Sequence, residues 1–314
     1  MKQTILGSGG AIGIPLAKEL KNYTSEIRLV SRNPKKVNDT DELYPLDLND
    51  LRKLPDAIKG SSIVYLTIGF EYNLKIWQER WPRLMRAVID ACQLHGAKLV
   101  FFDNVYMYAR SAIPFMTEES AILPPSRKGA VRNEVAQMIN TAVEQKKLTA
   151  LIARAADFYG PDNNNSALEQ MVARNLLAGK KVQTFGNPDK IHTYTYTPDA
   201  AKATALLGNS EDAWNQVWHL PTTKELLTGY QWIGLFAREL NIEPKIRHVP
   251  TWMLRLLGLF IPVMKEFPEM MYQYEQDYTF DSTKFEKRFG WLATSPADGV
   301  KEMLRSRMPE NSPM

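Results

Sequence analysis

Thr4-Ile5-Leu6-Gly7-Ser8-Gly9-Gly10-Ala11-Ile12-Gly13-Ile14-Pro15-Leu16, close to the start of the chain, sets a β-favouring run directly before a glycine-rich turn. Beyond the turn, Ile12, Leu16 and Leu20 recur at i, i+4 and i+8, which is one face of a helix. Gly7, Gly10 and Gly13 are three apart, and each has a physical task in a strand, turn and helix unit. The first allows the tight turn and the second lets backbone come close to a pyrophosphate. The third lets the helix pack on the strand with its N-terminal N–H groups facing the anion. A glycine triplet means little alone, but here the strand before it and the helix after it supply the required context. Gly7, Ser8, Gly9, Gly10, Ala11, Ile12 and Gly13 are therefore expected to cradle the phosphates of a dinucleotide.

Outward from this loop, short β-favouring runs at Ile27-Arg28-Leu29-Val30, Ile63-Val64-Tyr65-Leu66, Lys98-Leu99-Val100-Phe101-Phe102 and Ala150-Leu151-Ile152-Ala153-Arg154 alternate with segments of helical spacing. The longer helices are expected over 74–94 and 128–144, and a second strand and helix pair after Glu26. The alternation predicts an α/β protein with a Rossmann-type doubly wound parallel sheet. After Gly160-Pro161 the pattern changes to an Asn-rich loop, a short Thr-Tyr-Thr-Tyr-Thr strand and several helices. The expected division is a dinucleotide-binding domain over 1–160 and a smaller, mostly helical substrate-binding region over 161–314, interleaved with the last sheet strands.

The end of the second strand commonly carries an acid, about 20 residues past the glycine loop, that binds the adenosine ribose hydroxyls of NAD. Here the position reads Ser31-Arg32-Asn33. With no carboxylate to repel a phosphate and Arg32 able to grip one through two N–H groups, NADP is expected in preference to NAD.

The glycine loop, Leu46-Asp47-Leu48, Thr67-Ile68-Gly69, Asp103-Asn104-Val105-Tyr106-Met107-Tyr108, Arg154-Ala155-Ala156-Asp157-Phe158-Tyr159-Gly160-Pro161, and the closing Asp281-Ser282-Thr283-Lys284 with Phe289-Gly290-Trp291 together resemble the extended short-chain dehydrogenase/reductases, the NAD-dependent epimerase/dehydratase group. The resemblance covers nearly the whole chain. It implies that Asp47 and Leu48 flank the adenine, that Thr67, Ile68 and Gly69 lie along the ribose and pyrophosphate, and that Ala155, Ala156 and Phe158 line the nicotinamide end.

The chain departs from that group at its chemistry. Members that oxidise or reduce an alcohol use a Ser or Thr after the fifth strand and a Tyr-x-x-x-Lys on the next helix, where the tyrosine moves the proton. Here the serine position holds Asn104, and the helix reads Pro124-Pro125-Ser126-Arg127-Lys128-Gly129-Ala130-Val131-Arg132, with no tyrosine. Lys128 and Arg132 share a helix face, so one of them, Lys128 first, is expected at the nicotinamide ribose. Asn104 keeps an amide N–H that can polarise a carbonyl. In an extended segment residues 104, 106 and 108 point the same way, and the resemblance sets Tyr106 where dehydratases of the group carry an acid–base residue. Asn104, Tyr106 and Lys128 are thus the candidate catalytic residues.

Several classes are excluded by composition. A net charge of +4 over 314 residues, with Lys and Arg spread along the chain, does not suit nucleic-acid binding. The apolar stretch at 252–264 is interrupted by Arg255 and Pro262 and is shorter than the roughly 20 residues of a membrane span. The four histidines have no ligand spacing, so no metal is expected; His192, beside Tyr194 and Tyr196, is read as a satisfied histidine before a substrate contact. The single cysteine, Cys92, forms no internal disulfide and reads as buried. The strand that follows Met1-Lys2-Gln3 leaves no room for a leader, which points to the cytoplasm. Leu84, Ala87, Val88 and Ala91 form an apolar stripe that suits either the sheet or a homodimer. The aromatic and Met-rich run from Trp252 to Tyr274 reads as core packing before a lid. The expected activity is an NADP(H)-dependent oxidoreductase or epimerase-like reaction on a small carbonyl, alcohol or sugar-derived substrate. The alternative is a non-catalytic NADP(H)-binding redox sensor or partner-binding module.

Overall fold

The computed structural model describes residues 1–260 and 262–307. In chain order the elements begin with β1 (Gln3–Leu6), α1 (Gly13–Leu20), β2 (Ile27–Ser31), β3 (Glu42–Pro45), α2 (Leu54–Ile58), β4 (Ile63–Leu66), α3 (Leu74–His95), β5 (Lys98–Asp103), α4 (Arg127–Glu144) and β6 (Ala150–Arg154). They continue with β7 (Asp157–Tyr159), α5 (Arg174–Leu177), β8 (Val182–Phe185), β9 (Tyr194–Tyr196), α6 (Thr197–Gly208), β10 (Val217–His219), α7 (Gly229–Glu239), β11 (Ile246–Val249), α8 (Thr251–Leu257), α9 (Thr283–Phe289) and α10 (Pro296–Arg305).

Contacts group the chain into two compact units, the first made of 1–107, 127–155 and 200–220, the second of 108–126, 156–199 and 221–314. The first unit holds a seven-stranded sheet in the order β10-β6-β5-β4-β1-β2-β3, and every pairing in it is parallel. This is a Rossmann-type doubly wound α/β fold. Its central strands β1 and β4 are buried along their whole length, as a sheet covered on both faces requires. Where β1 carries polar residues they are paired internally: the Tyr65 hydroxyl donates to Gln3 Oε1 at 2.8 Å, and Thr4 and Ser61 share a hydroxyl bond at 2.6 Å.

The helices α3 and α4 place Trp77, Trp81, Leu84, Met85, Val88, Ile89 and Cys92, with Val131, Val135 and Ile139, into one apolar core with the strands. Leu84, Val88 and Ala91 are spent on that core, so the stripe that suited either sheet or dimer packs inward. Burial pushes the Cys92 thiol up to about 12. Two short strands, β3 and β10, extend the sheet beyond the runs the sequence displays. No helix follows β2. The chain there bends through Arg32-Asn33-Pro34 and is tied by Asp41, whose Oδ2 accepts the N–H groups of Val37 at 2.9 Å and Asn38 at 2.7 Å. Proline and this carboxylate turn offer the backbone an alternative to a helix.

The second unit has two parallel pairs, β7 with β9 and β8 with β11, over a core of Tyr159, Tyr194, Trp232, Phe236, Val300 and Met303. The aromatic and Met-rich run from Trp252 to Tyr274 includes position 261, which lies outside the described residues. Around it Trp252 and Phe260 are exposed while Met270 and Met271 are buried, so the run divides between surface and core. No helix among the described residues is long and apolar enough to cross a membrane.

Candidate functional site

In the first unit the chain leaves β1 for β2 on one side and β4 lies on the other. The loops after β1 and β4 therefore flank the point at which the strand order reverses, where doubly wound sheets bind ligands. Gly7 has φ +99°, and a Cβ there would lie 2.7 Å from the Ile68 nitrogen. A Cβ on Gly13 would lie 2.5 Å from the Gly7 carbonyl oxygen. Both glycines are demanded by the protein's own backbone. Gly9 and Gly10 are exposed, with nothing within 4 Å of a Cβ at Gly9 and only the Gly7 oxygen, at 3.7 Å, near one at Gly10. The space over them faces outward, where a phosphate needs backbone without side chains.

Ser8 and Ile12 are buried and Ala11 is half-buried, so they hold the loop's inner side. The first turn of α1 has no side-chain cap and no acidic residue, so no negative charge occupies its positive dipole end. Thr67 zips the second loop to the first, its N–H donating to the Leu6 oxygen at 2.9 Å and its hydroxyl to the same oxygen at 3.3 Å. Gly69 beyond it is exposed and Ile68 partly buried.

At the end of β2, Arg32 is exposed and the buried Ser31 hydroxyl has no hydrogen-bond partner. Leu48 belongs to the core. Asp47 is exposed, with Oδ1 accepting from the Asn49 N–H at 3.0 Å and its amide at 2.7 Å. Of the two expected at the adenine, only Asp47 turns outward.

After β5 the chain turns, contrary to the extended run that would align residues 104, 106 and 108. Asn104 Oδ1 accepts the Tyr106 N–H at 3.1 Å, the local bond by which Asn closes turns. Asn104 and Tyr106 are half-buried, and Tyr108 is fully buried in the second unit. The Tyr106 ring stacks on Trp77 at 6.2 Å and 13°. Beneath the turn, Asp103 Oδ1 accepts the Asn104 N–H at 2.9 Å and Arg132 Nε at 2.8 Å, and Arg154 Nε donates to Oδ2 at 3.4 Å. Arg132, offered above as a second choice for the ribose, is instead buried against Asp103 and over the Trp81 ring at 4.3 Å. Lys128 is also fully buried, its Nζ 4.6 Å from the centre of the Tyr72 ring. Ala155, buried, donates its N–H to the Asp103 oxygen at 3.1 Å.

Sequence reasoning missed Tyr72 and the Asp103 network. The aromatic spacing of Phe70, Tyr72, Trp77 and Trp81 was the available signal for the first. Nothing in the order of residues shows that arginines 29 and 51 positions away converge on Asp103.

In the second unit, the Ala156 N–H donates to Thr195 Oγ1 at 3.0 Å, and Phe158 lies half-buried on β7. His192 Nε2 meets Asp157 Oδ2 at 2.9 Å and its ring stacks on Tyr278 at 4.2 Å and 3°. Tyr274 also donates to Asp157 Oδ2, at 3.1 Å. Burial first, then the Asp157 carboxylate, holds the Tyr194 and Tyr278 phenols above the ordinary tyrosine range. His192 thus has an internal partner. Among the described residues no group of three or more His, Cys, Asp or Glu is placed to hold a metal ion.

The model of the NAD dependent epimerase/dehydratase family matches residues 4–218. The chain belongs to the NAD-dependent epimerase/dehydratase family. This epimerase/dehydratase family member is 22% identical over 189 residues to a dTDP-glucose 4,6-dehydratase of Shigella flexneri, a match covering 57% of the chain and 46% of that protein. The match to dTDP-glucose 4,6-dehydratase 1 of Escherichia coli K12 has the same identity and coverage. The aligned stretch thus spans about half the length of these curated relatives.

Among solved structures, the UDP-glucuronic acid 4-epimerase of Bacillus cereus, in complex with UDP-glucuronic acid and NAD, superposes with a TM-score of 0.80 at 15% identity over 98% of both chains. The dTDP-glucose 4,6-dehydratase of Streptomyces venezuelae, with NAD bound, gives 0.78 at 17% identity over 98% of this chain and 96% of that one. At these identities the likeness shows a shared fold.

Proposed function

We propose that this family member binds a nicotinamide dinucleotide on the Gly7–Gly13 loop and catalyses oxidation or reduction at a hydroxyl or carbonyl of a small, sugar-derived substrate. One observation carries the reading: Gly7 and Gly13 close the loop against the protein's own backbone, while Gly9 and Gly10 stand exposed without side chains beside the uncapped start of α1, the surroundings a pyrophosphate needs. When bound, the cofactor supplies a hydride acceptor or donor. Thr67, Ile68 and Gly69 border the same loop. The orphaned Ser31 hydroxyl and Arg32 stand at the end of β2, where an adenosine ribose is held in doubly wound folds.

The family is NAD-dependent, and the two neighbours described above hold NAD. A preference for NADP in this chain is proposed on Arg32 and the absence of a carboxylate beside it. For the chemistry, the Asn104 amide oxygen is engaged by the Tyr106 N–H, so the amide N–H groups are the end that serves a reacting oxygen. The proton-handling group is proposed to come from the tyrosines around Trp77, of which Tyr106 is the one the sequence indicates.

The neighbours' nucleotide-sugar ligands give the substrate class to try first. The test incubates the protein with UDP-glucose, UDP-glucuronic acid and dTDP-glucose plus NAD or NADP, following nicotinamide absorbance and product. Turnover of any of them supports the reading. Tight dinucleotide binding with no turnover of these or of simple carbonyl compounds favours the redox-sensor alternative.

A further inference from the structure

We infer that a cleft lying wholly within the second unit binds an uncharged, hydroxyl-bearing six-membered ring and not a nucleoside diphosphate; this rests on the oxidoreductase reading above, under which that ring belongs to the substrate. Phe185 at the end of β8, Tyr194 on β9, Trp232 on α7 and Tyr274 give the cleft aromatic walls. Met171 and Val172 close it from a turn of π-helix over Glu169–Ala173, a widened turn of the kind that recurs at functional sites. Its volume of about 60 Å³, at roughly 10–15 Å³ for each water-sized group, holds about four to six of them, the size of one six-membered ring.

The walls are held by the protein's own bonds. Tyr274 donates its hydroxyl to Asp157 Oδ2 at 3.1 Å, its ring lies on His192 at 4.8 Å and 10°, and its carbonyl oxygen accepts the Asn187 N–H at 2.8 Å. Gly186 has φ +57°, and a Cβ there would overlap that same carbonyl, so the chain leaving β8 is seated directly on Tyr274. The Trp232 indole N–H donates to the His192 oxygen at 2.9 Å, and its ring is buried edge-on to Tyr194 at 5.2 Å. Rings immobilised in this way meet the flat face of a ligand with little side-chain freedom left to lose.

The charge of the lining selects against phosphate. A diphosphate is held by arginine forks or several cations, whereas Lys190 is the one lysine or arginine lining the cleft among the described residues. His192 lines it too, but its Nε2 is 2.9 Å from Asp157 Oδ2, so any positive charge on it is already matched by a carboxylate. The lining also carries the amides of Gln183, Asn187 and Gln276. An amide both donates and accepts, which suits the hydroxyls of a neutral ring. Aromatic walls with amides among them fit a sugar ring or a phenol, two sources of the same chemistry.

The test is ligand-observed saturation-transfer NMR on the full chain with methyl β-D-glucopyranoside, phenol and UDP, each alone, for wild type, Met171→Trp and Gln183→Trp. Either indole would fill the cleft, the first from a half-buried wall position and the second from an exposed one on β8. The expected result is transfer to the glucoside or to phenol in wild type and its loss in a folded variant, the compound that responds identifying the source. Transfer to neither ring overturns the inference, as does transfer that both variants keep. Transfer to UDP that the variants lose also overturns it, because the cleft is then a nucleotide site; transfer to UDP that they keep arises outside the cleft and leaves the ring result to decide. Should Met171→Trp fail to fold, Gln183→Trp decides alone. These spectra need neither cofactor nor turnover, so their failure is distinct from a failure of the oxidoreductase reading, which dinucleotide binding and turnover report.

Discussion

Gly13 and Gly9 belong to one loop, yet they answer to different neighbours. A methyl group on Gly13 meets the Gly7 oxygen at 2.5 Å and the Ser8 Cα at 2.8 Å, and backbone on both sides has little room to yield. Gly13→Ala is expected to destabilise the protein by about 1–3 kcal/mol, the scale of overpacking, and to weaken dinucleotide binding. Gly9→Ala meets nothing within 4 Å and should leave stability within about 0.5 kcal/mol of wild type, read by denaturant unfolding of both variants. The loop was legible from sequence because its constraint is local, three glycines between a strand and a helix. The surroundings of Lys128 were not, because its partner Tyr72 comes from another loop and burial is a property of the folded chain. Asn104 was picked out by its position, but the turn it closes upset the alternation that would have aligned it with Tyr106 and Tyr108.

The elements that proved readable are those with a strong period or a continuous apolar run. The helix α3 shows Leu74, Trp77, Trp81, Leu84, Met85, Val88 and Cys92 on its buried face, and β4, β5 and β6 are nearly unbroken apolar segments, as buried parallel strands are. The missed strands β3 and β10 lie at the two ends of the sheet order; β3 is mostly exposed and so lacks a hydrophobic pattern, and β10, though largely buried, is only three residues long. At the start of α3 the cap, Asn73, directly follows Tyr72. Asn73 Oδ1 accepts the Ile76 N–H at 3.2 Å. Asn73→Ala is expected to cost about 1 kcal/mol of stability, measured by chemical denaturation, and to loosen the loop that carries Tyr72.

For the molecule as a whole, family and fold are carried by features spread along the chain, whereas substrate choice depends on a few side chains that vary freely within the same fold. Identities of 15–22% to epimerases and dehydratases accordingly fix the architecture and leave the reaction to be read from this chain's own residues. Those residues include a glycine loop closed on its own backbone between β1 and α1 and a fully buried lysine, Lys128, against the Tyr72 ring. The most direct measurement is a titration of the purified protein with NADH and NADPH, following binding, in wild type and Arg32→Ala. Saturable binding is predicted, tighter for NADPH, with the NADPH advantage falling by about 1.5–3 kcal/mol in Arg32→Ala, the scale of a hydrogen bond to a charged group. Equal or tighter binding of NADH would overturn the assignment of Arg32 alone, and a folded protein that binds neither dinucleotide would contradict the account at its base.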